Sequence, residues 1–101
     1  MTTTTQLGRY RIKDGELDTW ARHWRTNIAP LRVESGFNLI FAFVDRANNE
    51  FIYAFRFAGT PEELVEANRA YHATDEFVRR NGDLPQRLIE SYSISLVEAV
   101  W

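Results

Sequence analysis

The sequence predicts an α+β domain in β-α-β-β-α-β order: a four-stranded antiparallel sheet with two helices on one face. Three observations carry this. Asn38 to Phe57 holds two runs, Asn-Leu-Ile-Phe-Ala-Phe-Val and Phe-Ile-Tyr-Ala-Phe-Arg-Phe, parted by a polar loop at 45–50. Such aromatic and β-branched runs around Asp45, Asn48 and Asn49 read as a β-hairpin. Leu17, Trp20, Ala21, Trp24, Ile28 and Leu31 recur with the period of one helical face. Thr60-Pro61-Glu62-Glu63 is a helix start, with Thr60 as cap, Pro61 in the first turn and Glu63 where a capping box needs it.

In chain order, Met1 to Thr5 is polar and expected to be a flexible tail, leaving 6–101 as a single domain. The first strand is expected near 7–12, with Tyr10 and Ile12 on one face and Arg9 and Arg11 on the other. Asp14 and Gly15 are candidate caps for a helix near 16–34, whose solvated side carries Arg22, Arg25 and Thr26. Pro30 should kink that helix or end its regular part, and Gly36 suits a left-handed cap. Strands near 38–44 and 50–57 form the hairpin. A second helix near 61–73 buries Leu64, Ala67 and Tyr71, and Thr74-Asp75-Glu76 can continue or restart it. Arg79 to Gln86, with Asn81-Gly82 and Pro85, reads as a loop. The last strand spans 88–97, alternating Tyr92, Ile94 and Leu96 with Ser91, Ser93 and Ser95. All five glycines are expected at element boundaries. The order is that of the ferredoxin-like plan.

The bulk numbers exclude several classes. Among 101 residues, 45% are hydrophobic and 26% charged, with a net charge of -2 and no cysteine. The acidic balance argues against nucleic acid or an anionic membrane as partner. Disulfides, thiolate nucleophiles and cysteine metal sites are excluded. No start resembling a signal peptide and no run of membrane-spanning length is read, so a cytoplasmic protein is expected.

The hairpin is apolar on both faces. Strict alternation sets Leu39, Phe41 and Phe43 against Ile40, Ala42 and Val44, and Phe51, Tyr53, Phe55 and Phe57 against Ile52 and Ala54. One helical layer covers one face. Leaving the other wet forgoes about 1.5–3 kcal/mol for each large side chain, so a homodimer with facing sheets is expected. The apolar end, Val100-Trp101, is expected to dock across that interface.

The run Trp24-Arg25, Pro30-Leu31-Arg32 and Gly36-Phe37, followed by the apolar hairpin, Ala70-Tyr71-His72-Ala73 and Asp75-Glu76, resembles NIPSNAP-domain proteins over roughly Leu7 to Phe77. Where that family commonly has an arginine after the leucine of its first strand, this chain has Gly8 and then Arg9. The resemblance implies a dimeric α/β barrel. In the wider superfamily the pocket lies inside each subunit, between sheet and helices; with the inward aromatics of this chain, a small aromatic or lipophilic molecule is the expected ligand, with the reaction unassigned. The wider superfamily adds cofactor-independent monooxygenases and haem-binding or haem-degrading enzymes as alternatives, and a non-catalytic binding or structural dimer is another.

The residues themselves offer few chemical groups. His72, beside Tyr71 and followed by Asp75 and Glu76, is the candidate catalytic base; a half-exposed helix flank is its structural alternative. Tyr10, Trp24 and Tyr71 are inward aromatics with polar tips and are the candidate ligand-binding residues. Arg56, the lone charge of its strand, could clamp a carboxylate or pair within the protein. His23 is read as a surface residue. Two histidines in no zinc-binding spacing give no metal site, and no cofactor is expected. The same strand order also belongs to RNA-recognition motifs, which Phe51, Tyr53, Phe55 and Phe57 mimic, but the basic-glycine context is missing.

Overall fold

The computed structural model describes residues 2–100. The chain runs β1 (Thr3–Ile12), α1 (Leu17–His23), a π-helical turn (Trp24–Ile28), α2 (Ala29–Glu34), β2 (Asn38–Asp45), β3 (Glu50–Ala58), α3 (Pro61–His72), α4 (Asp75–Asn81), α5 (Leu84–Leu88) and β4 (Ile89–Val97). The sheet order is β2-β3-β1-β4 with every neighbouring pair antiparallel. This is the ferredoxin-like α+β fold that the hairpin, the helical periodicity and the capping box foretell. Of the terminal pair Val100-Trp101, Trp101 lies outside the described residues, and Val100 is fully exposed.

Local chemistry accounts for the helices. The α1–α2 rod is one helix widened in the middle. Pro30 has no N–H, and its ring crowds the carbonyl four residues back. The wider turn just before it, closed by Ala29 N–H donating to the Trp24 carbonyl, accommodates that defect. Gly36 ends the rod at φ 96°, a conformation only glycine adopts without strain. The capping box at Thr60 is complete: Glu63 N–H donates to Thr60 Oγ1 at 3.1 Å, and Thr60 N–H donates to Glu63 Oε1 at 2.9 Å.

Four expectations need correction. Thr3–Thr5 is not a loose tail: it pairs with Ala58–Arg56 of β3, and buried Thr4 donates its hydroxyl to the Gly59 carbonyl at 2.9 Å. The β-branched threonines extend a strand because β3 is long enough to receive them. The span 79–86 is largely helical. Thr74 caps α4 by accepting from Phe77 N–H at 3.1 Å, Gly82 at φ 53° interrupts, and Pro85 opens α5. Gly8 lies in mid-strand rather than at a boundary, beneath the Tyr53 ring; a Cβ there would stand 2.2 Å from Tyr53 Cε1. Finally, the faces of β2 do not alternate strictly. A bulge between Leu39 and Phe41 puts Leu39, Ala42 and Val44 level with Phe55, Tyr53 and Phe51, and Phe41 and Phe43 level with Ala54 and Ile52.

The core lies between helices and sheet. Trp20, Tyr53, Phe37, Phe55, Ile12 and Leu64 are its fully buried large side chains. The opposite sheet face is open. There Leu7, Ile40, Phe43 and Val97 are exposed, with Phe43 at 61% and its ring stacked on Phe41 at 5.2 Å.

Candidate small-molecule site

Along the edge of the helix-covered face runs a groove of about 710 Å³. Its walls are the rod formed by α1, the π turn and α2 on one side and edge strand β2 on the other. Trp24 and Phe51 form a buried floor, extended by Ala21, Ala29, Leu39, Ala42 and Val44. The bulge in β2 is what aims Leu39, Ala42 and Val44 at the helices. The rod does not cover them fully: Leu39 and Val44 remain 43% and 38% exposed. Arg22, Arg25, Arg46 and Asp18 rim the groove. Arg46 is held by Asp18 through contacts of 2.7 and 3.3 Å, and that ion pair depresses the Asp18 carboxyl below its ordinary pKa.

Behind the floor stands a chain of aromatics. Trp24 stacks on Phe55 at 5.7 Å and tilts against Phe51 at 5.0 Å and Tyr53 at 5.8 Å. The Tyr53 hydroxyl accepts from Gln6 Nε2 at 3.0 Å and shares a 3.0 Å hydrogen bond with the Tyr10 hydroxyl. Burial, and then Tyr53, push the Tyr10 phenol well above its ordinary pKa. The ring of Tyr10 is part-exposed; its hydroxyl end is what meets the interior.

Next to this chain lies a buried cation. Arg32, 4% exposed, holds its guanidinium 3.9 Å from the Tyr71 ring centroid, 4.7 Å from Phe37 and 5.4 Å from Phe55. It donates to Asn68 Oδ1. Among the described residues no carboxylate pairs with it, and its Nε, like Gln6 Oε1 and Trp20 Nε1, is buried without a partner. Aromatic faces replace a counter-ion, a cation–π contact being worth about 2 kcal/mol when desolvated. Burial lowers the Arg32 pKa, and it raises that of Tyr71 against the opposing pull of Arg32.

The structure divides the expected site residues. Trp24 reaches the groove. Tyr10 and Tyr71 point inward as expected, but toward Tyr53 and Arg32; the Tyr71 hydroxyl makes one long contact, 3.5 Å, to the Ile28 carbonyl. His72 lies at the end of α3, exposed, its Nδ1 2.9 Å from the Asn68 carbonyl and its ring against Phe77 and Tyr71. Partial burial, then the charge of Arg32, lower its pKa. Arg56 is on the other side of the sheet, lining an open-face hollow of about 380 Å³ with Leu7, Ile40, Phe41, Ala54 and Val97. Strand alternation separates it from the phenols, since its neighbours Phe55 and Phe57 face the helices. His23 is half-buried rather than on the surface, bridging Asn81 Oδ1 at 2.8 Å and Asn27 Nδ2 at 3.1 Å.

Sequence reasoning misses Arg32, Gln6 and Tyr53 as partners in this interior cluster. The signal for Arg32 was available: Trp20, Trp24, Ile28 and Arg32 form an unbroken series at intervals of four. Among the described residues no group of three His, Cys, Asp or Glu side chains is placed to hold a metal, and no helix is long and apolar enough to cross a membrane.

No family model matches the sequence, and no curated protein matches it either. Solved structures do. A NIPSNAP family protein from Agrobacterium tumefaciens superposes with a TM-score of 0.85 at 18% identity, over 98% of this chain and 94% of that one. A NIPSNAP domain protein from Burkholderia xenovorans gives 0.79 at 10% identity, over 97% and 96%. A candidate antibiotic biosynthesis monooxygenase from Nitrosomonas europaea gives 0.73 at 10% identity, over 98% and 91%. What such identities establish is the architecture: the chain has the ferredoxin-like α+β fold of the solved NIPSNAP-family proteins.

Proposed function

We propose that this chain is a NIPSNAP-like dimeric α/β-barrel protein that binds a small aromatic or lipophilic molecule in the groove between the π-helical turn and β2. The observation that carries the reading is the groove itself. Its volume of about 710 Å³ lies within the range of small-molecule sites, about 300–1,000 Å³. Its floor offers a flat indole and a phenyl ring, and its side walls are apolar groups that the chain's own helices leave uncovered. The dimeric part rests on the other face of the sheet. Phe41, Phe43, Ile52 and Leu7 line it, and nothing else among the described residues covers Phe43.

The test is a titration with N-phenylnaphthylamine, a neutral apolar fluorophore. Saturable enhancement is expected with the unmodified chain, together with quenching of tryptophan emission through Trp24. Ala42→Trp fills the groove from edge strand β2 and should weaken binding about tenfold, or about 1.4 kcal/mol. Unchanged binding in that variant, with fold intact by circular dichroism, would defeat the reading.

A further inference from the structure

Resting on the groove as the ligand site, we infer that its ligand is an organic anion: an apolar body on the Trp24 and Phe51 floor, with a single oxyanion head group held between Arg22 and Arg25. The rim carries the argument. Arg22 and Arg25 line the groove from positions three apart on one helical rod, neighbours whose like charges repel. Among the described residues neither makes an ion pair or a side-chain hydrogen bond, whereas the third arginine of the rim, Arg46, is bound by Asp18 at 2.7 Å. Three guanidinium groups against one carboxylate leave the groove with a surplus of two positive charges, in a chain whose net charge is -2. The positive field is therefore local, and it sits over an apolar floor where an anion's charge is poorly screened. Guanidinium groups bind carboxylate and related oxyanions through paired N–H donors, stronger than neutral hydrogen bonds. A neutral lipophile would leave that repulsion in place; an amphiphilic anion relieves it.

The experiment compares two probes that share one ring system. Anilinonaphthalene sulfonate carries an oxyanion; N-phenylnaphthylamine does not. The sulfonate is expected to bind the unmodified chain about tenfold more tightly, the scale of one charge-assisted contact. In the double variant Arg22→Gln/Arg25→Gln that preference should vanish, the ratio of the two affinities falling about tenfold to near one, with circular dichroism confirming that these exposed substitutions leave the fold intact. Ala42→Trp, or Leu39→Trp should the first not fold, should weaken both probes. Equal affinities for the two probes, indifferent to the arginines but lost in the groove-filling variant, overturn the anion and leave the groove reading standing. Binding that survives groove filling overturns both, as does the absence of saturable binding by either probe. If groove filling instead lowers the mass in sedimentation, the occupant is a second copy of the chain and the inference falls.

Discussion

Gly8→Ala tests the packing that organises the interior. The added methyl would stand 2.2 Å from Tyr53 Cε1, 2.3 Å from Cζ and 2.6 Å from the hydroxyl oxygen. Carbon atoms pack best at about 3.5–4.0 Å and all three of these distances are far inside that, so the ring must leave its place. Tyr53 is 1% exposed and is held by Gln6 and Tyr10 at 3.0 Å each. Overpacking of this kind costs about 1–3 kcal/mol, and two lost hydrogen bonds add about 1 kcal/mol each. The smaller backbone entropy of alanine in the unfolded chain returns about 0.4–1 kcal/mol. The net expectation is a loss of about 2–5 kcal/mol, a large fraction of the 5–15 kcal/mol typical of a domain. Urea unfolding at fixed protein concentration, followed by tryptophan fluorescence, measures it. The same substitution made on a Tyr53→Leu background should cost at least about 1 kcal/mol less, because the two sites then no longer collide. A loss under about 0.5 kcal/mol on the native background, within the range of ordinary surface substitutions, would refute the reasoning.

Two further outcomes are expected. Phe43→Asp puts a charge in the middle of the open sheet face and should give aggregate or unfolded chain, while the thermal midpoint of the unmodified protein should rise with its concentration; sedimentation showing a folded monomer of 11.8 kDa at micromolar concentration would refute the dimer. His72, whose folded pKa lies below the ordinary value of about 6.5, binds protons less readily folded than unfolded, so stability should fall as pH drops from about 6.5 toward the folded pKa and level off below it. His72→Asn should flatten that part of the pH profile, and a profile unchanged by the substitution would exclude the histidine as its source.

Much of the architecture was legible because its causes are local. The capping box at Thr60, the periodicity of Leu17 to Leu31, the stop at Gly36 and the two apolar runs each depend on residues within a few positions of one another, so their chemistry can be read along the chain. Tyr71 inward and His72 outward followed from helical phase alone. The same locality set the limits. Whether Thr3 to Thr5 is a tail or a strand depends on β3 reaching Ala58, the partner of Thr3 and more than fifty residues away.

The candidate site was decided almost wholly by tertiary structure. Trp24 was legible as an inward aromatic, but the groove it floors exists because a bulge at Ile40 turns Leu39, Ala42 and Val44 toward the helices, and no residue type announces a bulge. Arg56 and the phenols share a stretch of sequence chemistry yet are parted by the thickness of the sheet. The four-residue series hints that Arg32 faces inward, but the Phe37, Phe55 and Tyr71 rings that receive its charge come together only in the fold. Gly8 reads as a breaker until Tyr53 is laid across it. The sequence by itself determined which segments fold and which faces are apolar, because those follow from nearest neighbours; which side chains meet was settled only when distant segments packed, because a contact's energy belongs to both partners.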